Sequence, residues 1–261
     1  MKKHNFLFDL VFSLAGTLLI IFVVLPLLVT IFGTSIQDYQ NTLTDPQVLS
    51  VIGVTFLAGL VATLLAFLIG LPLAYILERK KIFGKRILQA IVDLPIVIPH
   101  TAAGIALLMV FGSHGIIGGL FTSTSIHFVD SFFGIVIAMF FVSSPFFVNS
   151  CREAIHSVDK DLELNACIDG ANAWQVFFLV TLPLAWRGVT SGAIMMWARG
   201  ISEFGAIVIL AYNPKIISTL LFERFEGYGL NAALPIAAIL IIVVLFVFIF
   251  IRSLFLSSKN D

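Results

Sequence analysis

The chain has 261 residues, of which 59% are apolar and 11% charged, and its 15 basic and 15 acidic side chains cancel. A soluble domain carries about 25% charged residues, and a chain without net charge sets up no field that would draw in nucleic acid or an anionic surface. With 26 Phe and a mean hydropathy of +1.08, a soluble globule, a disordered chain and a disulfide-stapled secreted domain are excluded, leaving an integral membrane protein.

The chain opens Met1-Lys2-Lys3 and then turns apolar, as a secretion signal does. The apolar run 10–32 is longer than a signal core and has no small-x-small cleavage site, so it reads as a first span. Further stretches over 48–77, 87–111, 132–149, 189–211 and 232–256 approach or exceed the roughly 20 apolar residues a spanning helix needs. Only a helix satisfies its own backbone in lipid at these lengths, so the fold class predicted is an all-α membrane protein of about six transmembrane helices. Pro26, Pro72, Pro95, Pro99 and Pro235 lie inside the spans or near their ends. Each deletes a helix hydrogen bond and predicts a kink. With no soluble segment, Gly/Ser-rich linker or internal repeat, residues 1–261 read as a single transmembrane domain. Cys151 and Cys167 have no closely spaced Cys or His partner and read as ordinary thiols.

The basic residues orient the chain. Twelve lie on one side of the membrane: Lys2 and Lys3, the 79–86 cluster, Arg152, Lys160 and Arg187, then Arg252 and Lys259. The opposite loops carry Lys215 and Arg224. This asymmetry predicts cytoplasmic N- and C-termini.

The cytoplasmic connection 150–188 is longer than a simple loop. Val158, Leu162 and Ala166 recur at intervals of four and predict a short helix that Ser157 or Asp159 could cap. Gly170 can take positive φ and stop it. A second run, 173–182, carries Trp174, Phe177 and Phe178 and is expected to end before Pro183. Two short helices meeting at a glycine form a knuckle, with Ala171 and Trp174 near its tip. On pattern alone it is either an interfacial hairpin on lipid headgroups or a docking element for a protein groove.

This run resembles the EAA loop of ABC-importer permeases: E-A-A-x-x-x-G, nine residues, then I-x-L-P. Ala166, Gly170, Leu182 and Pro183 stand at that spacing, with Val180 for the Ile. Leu164 and Asn165 depart from the pattern's Glu and first Ala, and Glu163 stands one position early. The resemblance implies a coupling loop of Glu163, Ala166, Gly170, Ala171, Trp174 and Pro183 that inserts into a cytoplasmic ATP-binding subunit. The chain has no G-x-x-x-x-G-K-[ST] to cradle phosphates. It would bind no cofactor, Mg-ATP belonging to the partner, and would receive nucleotide energy mechanically.

Polar groups interrupt two spans. Span three opens Asp93-Leu94-Pro95 and continues to Pro99-His100-Thr101 and Gly104, an irregular backbone tolerated where it lines a cavity or is covered by protein. His100 reads as a hydrogen-bonded packing residue. Span five carries Arg199 and Glu203, at i, i+4 on one helical face. Charges at this depth are expected to pair, either as a structural tie or as a gate element. Pro99, His100, Thr101, Arg199 and Glu203 are therefore the pathway and gate candidates.

These segments resemble the oxyanion branch of the same permeases, the 99–105 run being most like its molybdate/tungstate members. The resemblance implies a non-catalytic permease subunit, working as a homodimer in the cell membrane with two ATP-binding cassette subunits and an extracytoplasmic oxyanion-binding protein. The loop 112–131 is a candidate surface for that delivering protein. Alternatives are a sulfate permease of the same architecture and an ion-coupled transporter working alone, for which Glu203 and Asp93 would be the relays. An intramembrane hydrolase finds no H-E-x-x-H or G-x-S-x-G here.

Overall fold

A computed structural model describes residues 6–122, 124 and 126–256. Lys2, Lys3 and Lys259 of the orienting charges, and Ser123 and Ser125 of the outer loop, lie outside the described residues. Twelve α-helices, one 3₁₀ turn and one π-helical segment account for the ordered elements there. Five helices are long and apolar enough to cross a membrane, and a bent pair makes a sixth candidate. The chain divides into two compact units, Met1–Leu49 with Leu220–Leu254, and Ser50–Thr219 with Phe255–Asp261.

The first unit is built on α1 (Phe6–Phe32) and α12 (Leu230–Leu256), joined by the ends of neighbouring helices. α1 leaves Leu18, Phe22 and Val29 exposed, as suits a helix whose solvent is acyl chain. Pro26 frees a carbonyl, its own oxygen accepts from the Thr30 hydroxyl at 2.9 Å, and the helix continues to Phe32. Ser35 caps the short polar α2 (Ile36–Thr44), accepting from the Asp38 N–H at 3.1 Å. The Tyr39 hydroxyl donates back to the Ile31 carbonyl at 2.8 Å. Arg224 donates to Asp45 at 3.2 Å and to Gln47 at 3.0 Å, tying the end of α11 (Ile217–Tyr228) to the start of α3 (Pro46–Arg79).

The second unit packs small residues inward and large ones outward. Along α3, Ala58, Ala62, Ala66 and Ala74 are buried at intervals of four or eight, while Leu57, Leu60, Leu64 and Leu68 stay exposed. In lipid no hydrophobic force draws leucines inward, and small residues win the interface because they let backbones approach. α6 (Phe132–His156) is the centre, with Ile135, Met139, Phe147, Cys151 and Ile155 fully buried. Ser131 caps it, accepting from the Gly134 N–H at 3.2 Å. α6 extends past the expected end at 149, because the polar residues after Asn149 continue the helix beyond the apolar stretch. Against it lies α9 (Leu182–Ile201), whose Gly192 leaves only 2.6 Å from an added Cβ to the Ser150 Cβ and whose Gly188 sits against Ala154.

Two expected spans are corrected. The stretch 87–111 is not one helix: α4 (Lys85–Val97) and α5 (His100–Phe111) meet at a 113° bend. Pro99 cannot donate to the ladder and biases Ile98 toward extended backbone, and Ile98 sits at φ −72°, ψ 144°. The stretch 189–211 is not one helix either. α9 stops at Ile201, Ser202 to Ala206 form a non-helical turn, and α10 (Ile207–Leu210) is a single turn. At its other end, the run expected to stop before Pro183 passes through it. α8 (Ala173–Val176) leads into a π-helical segment, Phe177–Thr181, and on into α9. The Leu182 N–H bonds the Phe177 carbonyl five residues back, and this wider turn absorbs the donor that Pro183 lacks.

The inverted packing of α3 predicts the sign of two substitutions. Ala66→Leu, which adds volume at a fully buried position, destabilises the purified protein by about 1–3 kcal/mol. Leu68→Ala, on the exposed face, shifts it by less than about 0.5 kcal/mol. Thermal unfolding in detergent reads both, and equal effects would show that the small-residue stripe is not the interface.

Candidate functional site

The knuckle is assembled from local signals. Asp159 caps α7 (Lys160–Ile168), its carboxylate accepting from the Asp161 N–H at 3.0 Å; Ser157 instead ends α6. The apolar stripe expected on α7 does not face inward as drawn. Val158 is buried but precedes the helix, Leu162 is exposed, and Glu163 and Ala166 are the half-buried pair. α7 closes in a Schellman motif: the Ala171 N–H bonds the Ala166 carbonyl at 2.9 Å and the Gly170 N–H bonds Cys167 at 3.1 Å. Gly170 has φ +94° with open space where a Cβ would stand, so the backbone angle is what demands glycine there. Asn172 and Gln175 form a reciprocal capping box at 3.0 and 2.8 Å that starts α8.

The tip of this knuckle is apolar and uncovered. Trp174 is 74% exposed and stacks on Phe178 at 5.9 Å, while Leu164 and Ile168 project from α7. Its root is polar and fixed. Arg79, the last residue of α3 and only 5% exposed, sets Nε 3.0–3.1 Å from both Glu163 carboxylate oxygens. Its Nη2 donates to the Val158 carbonyl at 2.8 Å, and the Thr181 hydroxyl of the π-helical segment donates to Glu163 at 2.7 Å. Glu163 thus ties α7 to α3 and to the root of α9, although it stands one position early in the motif. Sequence reasoning counted Arg79 only as an orienting charge. No local signal in the sequence pointed to it, since the cation nearest Glu163 along the chain is Lys160 and Arg79 lies 84 residues away. Pro183 lies within the rod leading to α9, apart from the tip.

The second site joins the two helix breaks. His100 starts α5, Arg199 lies in the last turn of α9 and Glu203 follows its end. Glu203 is fully buried. Its Oε2 lies 2.7 Å from His100 Nδ1 and 3.0 Å from Arg199 Nη2, and its Oε1 accepts the Ala206 N–H at 2.9 Å. With the proton on Nδ1, His100 donates to the carboxylate, and Arg199 Nη2, 2.8 Å from Nδ1 and 2.9 Å from Nε2, lies against the imidazole ring. Arg199 and Glu203 pair as expected, but across a helix end rather than along one helical face, because α9 stops between them. The breaks also interlock sterically. A Cβ on Gly205 would lie 2.8 Å from His100 Cβ, and one on Gly104 would lie 2.8 Å from the Ala206 carbonyl oxygen. Pro99 sets the bend, and Thr101 stands exposed on the first turn of α5. His100 is hydrogen-bonded, as expected, and the residues it meets are the charged pair Glu203 and Arg199.

A further polar cleft of about 700 Å³ opens where α3, α4 and α6 meet. There Asn149 donates to Asp93 at 2.6 Å and Arg152 donates to Asn149 at 3.2 Å. Asp93, weighed above as a relay, is thus hydrogen-bonded at one edge of the cleft, away from His100 and Glu203.

Residues 66–258 match the family described as the binding-protein-dependent transport system inner membrane component. The chain belongs to that family, the membrane-spanning subunits of ABC importers. It is 45% identical over 251 residues to the molybdate/tungstate transport system permease protein WtpB of Pyrococcus furiosus, covering 95% of this chain and 96% of that one. It is 42% identical to the protein of the same name in Thermococcus kodakarensis, with the same coverage. A probable sulfate transport permease of Marchantia polymorpha stands further off, at 33% over 270 residues, 99% of this chain and 93% of that one. A chain of a bacterial ABC transporter for alginate import shares the fold, with a TM-score of 0.73, 18% identity and coverage of 97% and 96%.

The buried carboxylate gives a direct prediction. Glu203→Gln removes the charge that balances Arg199 and destabilises the protein by about 3 kcal/mol. Unchanged thermal unfolding of the solubilised variant would show that the pair does not hold the breaks together.

Proposed function

We propose that the chain is the transmembrane subunit of an importer that moves molybdate or tungstate across the cell membrane, working as a homodimer with both termini in the cytoplasm. Two ATP-binding cassette subunits dock on its knuckles, and an extracytoplasmic oxyanion-binding protein delivers the anion. The chain itself is non-catalytic and binds no cofactor; Mg-ATP is held by the partner subunits. The observation that carries this reading is the knuckle, with its exposed Trp174 tip and its Arg79–Glu163–Thr181 root. A tip that is apolar, preorganised and rigidly rooted suits a contact that must transmit a push, because little motion is lost in ordering it. The substrate class rests on the names of the relatives at 42–45% identity.

The push has an anatomical route. Closure of the ATP-binding subunits draws the knuckles together, and the Glu163 tie passes the displacement to α3 through Arg79 and to α9 through Thr181. Arg199 lies in the last turn of α9, so the same rod reaches the cluster that pins the two helix breaks. Transport then alternates between inward- and outward-open arrangements of a few stiff helices. The loop 112–131 supplies a surface for the delivering protein, and its described residues, with the end of α5, line a cavity of about 460 Å³ that includes His114 and His127.

A sulfate permease is the second reading, favoured by the 33% identity noted above. Uptake of labelled tungstate by cells carrying the complete transporter, with competing molybdate or sulfate, decides between them: molybdate competes and sulfate does not. Effective competition by sulfate alone would overturn the assignment. The mechanical reading is tested by Gly170→Val, which strains the turn by about 1–2 kcal/mol. The variant retains ATP hydrolysis by the assembled complex and loses uptake. Normal uptake would show that the turn does not couple the two.

A further inference from the structure

Arg199 and His100 keep 24% and 34% of their side chains exposed, while the carboxylate between them is fully buried. Helix α5 runs 12 residues from His100 to Phe111. At 1.5 Å per residue this places the exposed edge about 18 Å from the loop that follows, well inside a hydrocarbon core of about 30 Å. A cationic edge at that depth does not face acyl chains; it borders protein or a water-filled path. Its immediate neighbours, Thr101 and Ala102 on α5 and Ser202 just past α9, are exposed and small or hydroxyl-bearing, and the apolar Ile105 and Met195 are exposed one turn further along α5 and α9.

The cluster is also polarised. Glu203 Oε2 is taken by Arg199 and His100, and Oε1 by the Ala206 N–H. A visitor on the open side therefore meets the guanidinium and imidazole, with the carboxylate behind them. We propose that this edge is a transit site for a tetrahedral dianion, contacted by Arg199 and His100, with the Thr101 hydroxyl as a further donor. The proposal rests on the permease reading. In a homodimer, two copies of the edge would offer two guanidiniums to two negative charges. Because each guanidinium is already shared with Glu203, its hold on the anion is loose, as passage through a pathway demands.

The test uses the complete transporter, assembled with its ATP-binding subunits in a Cys151→Ala, Cys167→Ser background, with Ser202→Cys as reporter. Its reaction with the anionic sulfonatoethyl methanethiosulfonate is compared with that of the cationic trimethylammonioethyl reagent, each relative to its rate with a free thiol. The anionic reagent is expected to be favoured by about tenfold through local electrostatic focusing. Tungstate should slow the reaction, and Arg199→Gln should remove the preference. Equal relative rates, or a preference that survives Arg199→Gln, would overturn the proposal. Thr101→Cys is the second reporter, held to the same criteria if Ser202→Cys does not assemble. Tungstate uptake by the parent complex without charge preference at either position removes the transit site alone. Charge preference with sulfate imported and protective in place of tungstate keeps the transit site and overturns the assignment of substrate.

Discussion

A chain in lipid can interrupt a helix only where the interruption satisfies its own polar groups, and this protein interrupts two. The break at Ile98–Pro99 and the break at Ser202–Ala206 are held against each other by one buried carboxylate. Glu203 accepts from His100 on one side of the junction and from Arg199 and the Ala206 backbone on the other. Remove its charge and the Arg199 guanidinium loses its counter-ion. Gly104 and Gly205 permit the approach that makes these distances possible.

The same logic repeats at the opposite end of α9. Glu163 ties the knuckle to α3 through a nearly buried Arg79 and to the π-helical segment through Thr181. Between the two carboxylates runs a continuous rod from Ala173 to Ile201, with one wide turn that accommodates Pro183. A stiff element with a fixed charge contact at each end is suited to carrying a displacement. Packing reinforces it: Gly188 and Gly192 bring α9 close to α6, and such close interfaces move as bodies rather than deforming.

Much of this was legible in the sequence, where the signal is local. The positive-φ glycine at 170, the helix on either side of it and the apolar runs all follow from residue type and spacing. The breaks were only half legible. Pro95 and Pro99 announced a disturbance, but the apolar pattern runs on through 111 and gives no sign that the chain turns by 113°. Likewise Arg199 and Glu203 mark the stretch 189–211 as polar without showing that α9 ends at Ile201, since Gly200 and Gly205 are tolerated in membrane helices. Proline rules predicted a stop before 183, and the π turn evaded it by shifting the hydrogen-bond register. Partners were the least legible. Arg79 and Glu163 are 84 residues apart and His100 and Glu203 are 103 apart; only the fold brings them together.

The central claim is that the tip at Trp174 seats in a nucleotide-hydrolysing subunit and receives its work there. Trp174→Cys, introduced in a Cys167→Ser background and paired with single cysteines across the facing surface of the ATP-binding subunit, tests this most directly. The account predicts a disulfide-linked product between the two subunits in the assembled transporter. Absence of any such product, with a label at position 174 quenched by lipid-borne probes, would contradict it.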